Sequence, residues 1–544
     1  MGKIKIGLAI INENECVEEI GISYIGALLK ENGFSVKIIS EVAEETLIHQ
    51  VKDFDPYLLG FSVYDSNLNK TLEICRKIKK ILPDIYISLG GRNPTQYSKR
   101  IMAENSYIDF VISKEGEYPF LELAESLYNG TSFGNIKNLT FRKDSMIISN
   151  EIRDTLPDLD QLPFALRDII RDKKMKTANI LSSRGCTQQC SFCSSPIFWR
   201  NGQNQKKPLL WRGRDIDCVL EEMKILNRDI KVKYFKFLDC SFEDPDVKLF
   251  RSFQIPQKII ESKLDISYIV QFRSDIYRKA EKNPLYLDTM IQSGLAAVFI
   301  GIEAGNEEDL KLYNKGTVLK DNYNCLKYFS EHDVLVKIGF IGFNPFSTYD
   351  RLYSNIEFLY KTGFASKFHM LRRLQLINDT SIFKTINEAG LLYYDKQKKN
   401  YQYRFENVNI WNMYRYINKY FNKYNMEKML KLQFFIELYD EKMMLMKTYY
   451  HKRDPKICNI LKSYIEMYQE IMSDLNERNM NWFTSLVGIA KINWQEDKAE
   501  QYMEQYISYD YLHHIHNKLL LHQTRLYRQL MENGCKEDAA YILE

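Results

Sequence analysis

Cys186, Cys190 and Cys193 lie within eight residues, in Ser183-Arg184-Gly185-Cys186-Thr187-Gln188-Gln189-Cys190-Ser191-Phe192-Cys193. Thiolates are soft ligands, and three this close together can reach one metal centre; zinc and iron–sulfur clusters are the centres they suit. Structural zinc takes four protein ligands. No histidine stands near, the flanking ones being His49 and His332, so zinc would require Cys218 or Cys240 to fold back. An iron–sulfur cluster held by three cysteines instead leaves one iron open to a substrate. Three buried thiols without any ligand are the bland alternative.

The elements around the thiols predict where they sit. A strand-like run, Ala178 to Ser183, leads into them, so they occupy a loop at the carboxyl end of a strand, where parallel folds place their chemistry. Strand-like runs recur at Tyr234 to Leu238, Tyr268 to Phe272, Ala297 to Ile302, Val336 to Ile341 and His369 to Leu376. Between them lie helical stripes such as Ile216, Val219, Leu220, Met223 and Leu226, with Asp215 as N-cap. Six such βα units over residues 176–390 predict a partial (β/α)6 barrel, with an open sheet as the alternative.

Residues 1–130 also alternate. Strand-like runs are Ile4 to Ile11, Phe34 to Ile39, Tyr57 to Ser62, Ile85 to Leu89 and Asp109 to Ile112. Leu68, Leu72, Cys75, Ile78 and Leu82 make a helical stripe, and Gly33 suits a helix C-cap. Five strands with helices between them predict an α/β, flavodoxin/Rossmann-like parallel sheet. Three loops should gather at its carboxyl edge: Ser62-Val63-Tyr64-Asp65-Ser66-Asn67, Gly90-Gly91-Arg92-Asn93-Pro94-Thr95 and Ser113-Lys114-Glu115-Gly116-Glu117. The Gly-Gly pair lets backbone approach a ligand, and a helix N-terminus after it favours phosphate. Residues 131–175, with a hairpin-like passage and then Leu156-Pro157-Asp158, read as a connector. Residues 391–544, rich in Tyr, Met, Lys and Leu, read as an α-helical C-terminal domain, with Met426 to Tyr450 and Gln501 to Met531 as its clearest helices.

A chain of 544 residues with 45% hydrophobic content can bury several cores. Lys plus Arg number 75 against 71 Asp plus Glu, a net charge of +4. This near-balance points to no nucleic-acid or membrane partner. No apolar run is long enough to span a bilayer, and the first residues read as a strand rather than a signal peptide. Seven of the ten cysteines are scattered, a pattern unlike a disulfide framework, so a reducing, cytoplasmic setting is expected.

The spacing Cys-x3-Cys-x2-Cys with Phe192 before the last thiol resembles the radical S-adenosylmethionine (SAM) superfamily over residues 176–380. The resemblance implies a [4Fe–4S] cluster on Cys186, Cys190 and Cys193. SAM would bind the open iron and be cleaved to methionine and a 5′-deoxyadenosyl radical. It further implies Phe192 against the adenine, and Asp239, Arg273 and Glu303 at strand ends against SAM's ribose, carboxylate or amino group. Acids and an arginine suit a zwitterion that carries a sulfonium; a helix cap or surface ion pair is the plain reading of each. Glu303-Ala304-Gly305-Asn306 and Asn314-Lys315-Gly316-Thr317 also resemble the family pattern.

The three loops of the first domain resemble the cobalamin-binding domain that precedes many radical SAM enzymes. That implies cobalamin against Ser62, Tyr64, Asn67, Gly90, Gly91, Thr95, Gly116 and Glu117. The Asp-x-His-x-x-Gly motif that supplies an axial histidine is absent, so only a mode without that ligand is implied. Arg92-Asn93 stands where relatives often carry Pro-His. A flavodoxin-like domain without a ligand is the plain alternative. The architecture implies a cobalamin-dependent radical SAM enzyme, foremost a methyltransferase acting on an unactivated carbon of a small molecule or peptide, with flavodoxin or ferredoxin as electron donor. Rearrangement or cyclisation is the nearby alternative, and a zinc- or cobalamin-binding sensor or interaction protein the distant one.

Overall fold

Along Lys5–Ile11, buried side chains part to two sides. Ile6, Leu8 and Ile10 enter one core and Ala9 and Ile11 the other. A strand sandwiched in this way needs helices on both faces, which is the condition of a parallel sheet. The computed structural model describes residues 4–12, 18–200, 209–243, 245, 246, 248–395, 400–423 and 426–543. The chain divides into two compact units. One holds the residues up to Gly185 together with Phe198–Val232; the other holds Cys186–Ile197 and the residues from Lys233 onward.

The first unit contains a parallel sheet whose strands are Lys5–Ile11, Ser35–Glu41, Leu58–Ser62, Tyr86–Gly90 and Phe110–Ile112. Their spatial order is second, first, third, fourth, fifth, as the flavodoxin-like plan requires. The first strand pairs with both the second and the third, so the topological switch point lies there. The hairpin-like passage is a real hairpin, Leu139–Lys143 with Met146–Ser149, and it extends this sheet by two antiparallel strands. The helix Leu68–Ile81 buries Thr71, Ile74, Cys75 and Ile78, one stripe of the helical period.

The second unit has the parallel strands Tyr234–Phe237, Ser267–Arg273, Leu295–Glu303 and Leu335–Phe340, adjacent in that order. The stretch His369 to Leu376 does not form the full strand that its alternation predicts. It makes a 3-10 turn over His369–Leu371 and a single bridge between Phe343 and Arg373. Gly363 and Phe368 both take left-handed backbone just before it, and that stops an extended run. Residues 391–544 begin with a small hairpin, Leu392–Asp395 with Asn400–Tyr403, where helices alone are predicted. Helices follow, and Gln501 to Met531 is broken by Ser508. That residue caps the helix Tyr509–Glu532, its hydroxyl accepting from the Tyr511 N–H.

The helix Met426–Tyr450 lies against the face of the second sheet rather than in a separate bundle. Ser267 Oγ donates to the Leu445 carbonyl, and Glu441 pairs with Lys236 and Lys337 at 2.5 and 2.6 Å. Ile436, Met443, Leu445 and Met446 are fully enclosed, as befits a helix without a polar face. Burial alone would raise the Glu441 carboxyl, but the ammonium groups of Lys236 and Lys337 outweigh it and hold it at about 2. Such a group stabilises the fold above its unfolded value of 4.5, and that contribution is lost as pH falls towards 2. Urea unfolding should therefore show wild type losing roughly 2 kcal/mol more than Glu441→Gln between pH 7 and pH 3.

Candidate metal centre and cofactor crevice

The strand Ser183–Gly185, which delivers the chain to the cysteines, pairs antiparallel with Trp211–Gly213. Gly185 has φ +102°, and a Cβ there would meet the Leu210 carbonyl oxygen at 2.0 Å, so no other residue fits. Arg184 spans two carboxylates, Glu115 at 2.9 Å and Glu117 at 2.7 Å, and Arg212 also binds Glu115. Burial raises the Glu115 carboxyl, but Arg184 and Arg212 together hold it below its usual value. Arg184 and Arg212 are anchors that the motif reading missed. Their only sequence signal is two arginines flanking a cysteine loop.

The loop Cys186–Ile197 belongs to the second unit, and its interior is bonded to the segment after the third strand of the sheet there. Ser191 N–H donates to the Tyr313 carbonyl and Ser191 Oγ to that of Leu312. Asn314 Nδ2 donates to the Gln189 carbonyl. The Phe192 ring packs edge-on against Tyr313, with centroids 5.6 Å apart. All three thiols are half-buried. Burial pushes the Cys186 thiol up to about 11, and Cys240, Cys190 and Cys193 are near enough for their charges to add to it. Cys240 is also 3.9 Å from Ser195 Oγ. Among the described residues no three His, Cys, Asp or Glu side chains converge tightly enough to hold a single ion. Cluster ligands go to different irons and need not meet at one point.

Cations stand beside the thiols. Arg273 Nη1 is 3.9 Å from Cys190 Sγ, and its Nη2 donates to the Lys315 carbonyl at 2.5 Å. Burial raises the Cys190 thiol while Lys315 and Arg273 pull it back down. Lys315 Nζ in turn donates to Glu303 at 3.1 Å. Glu303 closes its strand at a register shift with φ +66°, a conformation that re-aims its carboxylate over Gly301 and Gly339. Arg273 and Glu303 thus end strands at the same edge, and Asp239, fully buried, lies two residues past the end of Tyr234–Phe237 there. Ser274 Oγ and Thr317 Oγ1 are buried at this edge without a hydrogen-bond partner, so both keep bonding capacity that a polar ligand could use. Thiol donors, adjacent cations and unspent polar atoms fit a cluster with a zwitterionic ligand. Lys315 is the missed residue here; it lies in the quoted Asn-Lys-Gly-Thr motif, but nothing local says that its chain buries itself against Glu303.

In the first unit the three loops do meet at the carboxyl edge. Gly91, at φ +111°, brings its backbone against Val63, where a Cβ would lie 2.5 Å from the carbonyl oxygen. Gly90 leaves space, with nothing nearer than 3.8 Å to a Cβ. Thr95 Oγ1 donates to the Gly91 carbonyl and accepts from Lys114 N–H. Asn67 accepts from Tyr64 N–H and donates to the Ile11 carbonyl. Tyr64 OH donates to Glu19 at 2.7 Å, Ser62 sits beside Gly90 in the ladder, and Gly116 precedes the helix that starts at Glu117. Of the eight residues, Asn67, Thr95 and Glu117 spend their side chains on holding the loops. The open Gly90 edge fits a large planar ligand that approaches backbone.

A chain with a three-thiol loop on one βα sheet and a glycine-lined crevice on a flavodoxin-like sheet falls in a narrow class. Residues 8–124 match the B12 binding domain family and residues 180–359 the Radical SAM superfamily. An uncharacterised methyltransferase of Pyrococcus horikoshii is 26% identical over 63% of this chain and 73% of its own length. The anaerobic magnesium-protoporphyrin IX monomethyl ester cyclase of Rubrivivax gelatinosus is 22% identical over 59% of this chain and 58% of its own. The cobalamin-dependent SAM radical enzyme OxsB, solved with aqua-cobalamin and SAM bound, shares the fold with a TM-score of 0.70 at 16% identity, covering 99% of this chain and 84% of that one. The chain belongs to the radical SAM enzymes that carry a B12-binding domain. Its cofactors are accordingly a [4Fe–4S] cluster, SAM and cobalamin. No helix among the described residues is long and apolar enough to cross a membrane.

Proposed function

We propose that this enzyme cleaves SAM reductively and methylates an unactivated carbon of a small-molecule or peptide substrate. The observation that carries the proposal is the run Cys190–Arg273–Lys315–Glu303 along one sheet edge, beside the orphaned Ser274 and Thr317 hydroxyls. When bound, the cluster supplies the electron that breaks a carbon–sulfur bond of SAM, and cobalamin supplies a carrier for the methyl group. The protein's part is to hold and orient. Cys186, Cys190 and Cys193 hold three irons and leave the fourth for SAM. Arg273 and Lys315 offset the negative charge that three thiolates gather in a half-buried loop. Glu303 accepts from the SAM amino group, Asp239 from a ribose hydroxyl, and Phe192 lies against the adenine. Gly90 and Gly91 with Ser62, Tyr64 and Gly116 line the cobalamin face, which Asn67, Thr95 and Glu117 keep in shape. Flavodoxin or ferredoxin is the electron donor.

Protein reconstituted anaerobically with iron, sulfide and cobalamin, then given SAM, reductant and an extract of the producing cell, tests this reading by mass spectrometry. Methylation yields 5′-deoxyadenosine together with S-adenosylhomocysteine and a product heavier by one methylene. The relative named as a cyclase favours a second reading, a cyclisation without methyl transfer. That reaction would give deoxyadenosine without S-adenosylhomocysteine. Release of neither compound would overturn both readings.

A further inference from the structure

The face of the second sheet that carries Glu303 is charged well below the SAM edge. Parallel register puts paired residues on one face in rows. The top row is Arg273, Gly301 and Gly339, the next is Gln271, Phe299 and Lys337, and the next is Lys236, Ile269, Ala297 and Leu335. A Cβ on Gly301 would meet Lys315 and Glu303, and one on Gly339 would meet Glu303 and the Phe299 ring. The space beside both glycines is thus held by Glu303, with Lys315 over Gly301 and Phe299 beside Gly339, so the Glu303 carboxylate reaches down the face to the row above Lys337. From the other side the helix Met426–Tyr450 brings Glu437 and Glu441, one turn apart. Glu441 receives both Lys236 and Lys337, and Glu437 receives Arg372 at 2.6 Å.

The charges in this cluster do not cancel. Lys236, Lys337 and Arg372 face two carboxylates. The remaining nearby ions are already matched, Asp440 by Lys367 and Asp333 by Lys447. Glu441 is almost enclosed, with 5% of its side chain exposed, yet Lys236 and Arg372 keep 31% and 33% accessible. Glu441 is hidden, while Lys337 and Glu437 keep 22% and 24%.

We propose that Lys236, Lys337 and Arg372 anchor the substrate, and that the substrate carries an oxyanion, phosphate or carboxylate, at the end remote from the reacting carbon. The inference rests on the radical SAM reading of the edge above, which fixes where the reacting end lies. One or two N–H···O⁻ bonds from lysine and a fork from arginine are the means by which proteins hold such groups. Depth along the sheet then sets which carbon reaches the radical.

Anaerobically reconstituted full-length protein, titrated calorimetrically with inorganic phosphate and in parallel with succinate, tests this. Lys337→Gln should weaken the bound oxyanion by about tenfold, and Lys337→Arg should restore it to within about threefold of wild type. Glu441→Gln removes the competing carboxylate without changing shape and should tighten binding severalfold; a purely structural triad predicts no gain. Preference for phosphate or for succinate identifies the kind of oxyanion, and either supports the proposal. An oxyanion that binds Lys337→Gln as tightly as wild type sits elsewhere, such as the glycine crevice of the first unit, and overturns it. So does wild type that binds neither anion, or Glu441→Gln that binds no better. Formation of 5′-deoxyadenosine by the same wild-type preparation keeps a failure of this proposal distinct from a failure of the radical SAM reading.

Discussion

Cys190→Ala is expected to abolish the broad absorbance near about 400 nm that the reconstituted protein acquires with iron and sulfide, and to reduce SAM cleavage to background. The size of the effect follows from the ligand count. A cluster that already leaves one iron without protein has no spare thiolate, so losing one ligand leaves two irons open. Cys190 is also the thiol nearest to Arg273, at 3.9 Å, so its loss uncouples the metal centre from the strand-end cations. Cys240 is near enough for its charge to raise the Cys186 thiol, and Cys240→Ala is the matched control. It should retain the chromophore, whereas a zinc site completed by Cys240 would lose its metal in both variants. Retained absorbance and 5′-deoxyadenosine formation in Cys190→Ala would remove the cluster assignment altogether.

How far the sequence foretells this molecule depends on whether the signal is local. The unbroken burial along Lys5–Ile11 and the stripe in Leu68–Ile81 are local consequences of apolar patterning, and those elements fall close to where the pattern puts them. The cysteine loop is legible for the same reason: its chemistry depends on spacing along a short segment. Glu303 is legible as a strand end, but its left-handed backbone and the register shift beneath it are not. They arise from pairing with Leu335–Phe340, more than thirty residues later in the chain. Lys315 and Arg212 are ordinary basic residues until tertiary contact gives each a carboxylate or a carbonyl.

The run His369 to Leu376 shows the opposite error. Its composition suits a strand, yet left-handed turns at Gly363 and Phe368 break the approach, and the pairing that follows is short, the Arg372 carbonyl accepting from Gly342 and Phe343 and Leu374 N–H donating to the Phe343 carbonyl. The helix Met426–Tyr450 is clear in sequence while its place is not. A helix whose apolar and charged residues are mixed on all sides names no partner, and the partner here is the charged face of a sheet.

Arg167→Met is expected to destabilise the first unit by about 3–5 kcal/mol, the cost of breaking a buried ion network by removing one partner. Arg167 binds Glu18 and, at 2.6 Å, Glu222, with 6% of its side chain exposed and 2% and 3% of theirs. It also donates to the Asn179 carbonyl, while Glu18 accepts from Asn179 N–H. Glu222 is shared with Arg214 at 2.6 Å. The network ties Glu18, two residues before the helix Ile20–Glu31, to the connector, the strand Thr177–Ile180 and the helix Ile216–Asp229, so one substitution loosens four segments. Burial already raises the Glu18 carboxyl above its usual value despite Arg167. Without the guanidinium, the Glu18 carboxyl would rise further. A carboxyl whose folded value exceeds its unfolded one favours the fold at low pH and opposes it as pH climbs through the folded value. The deficit of Arg167→Met should therefore be largest near pH 8 and shrink towards pH 5, while an uncharged packing defect would give a gap independent of pH. Calorimetric melting of both proteins at the two pH values decides it. A constant gap, or a loss below about 1 kcal/mol, would mean that the two carboxylates find other partners when Arg167 is removed.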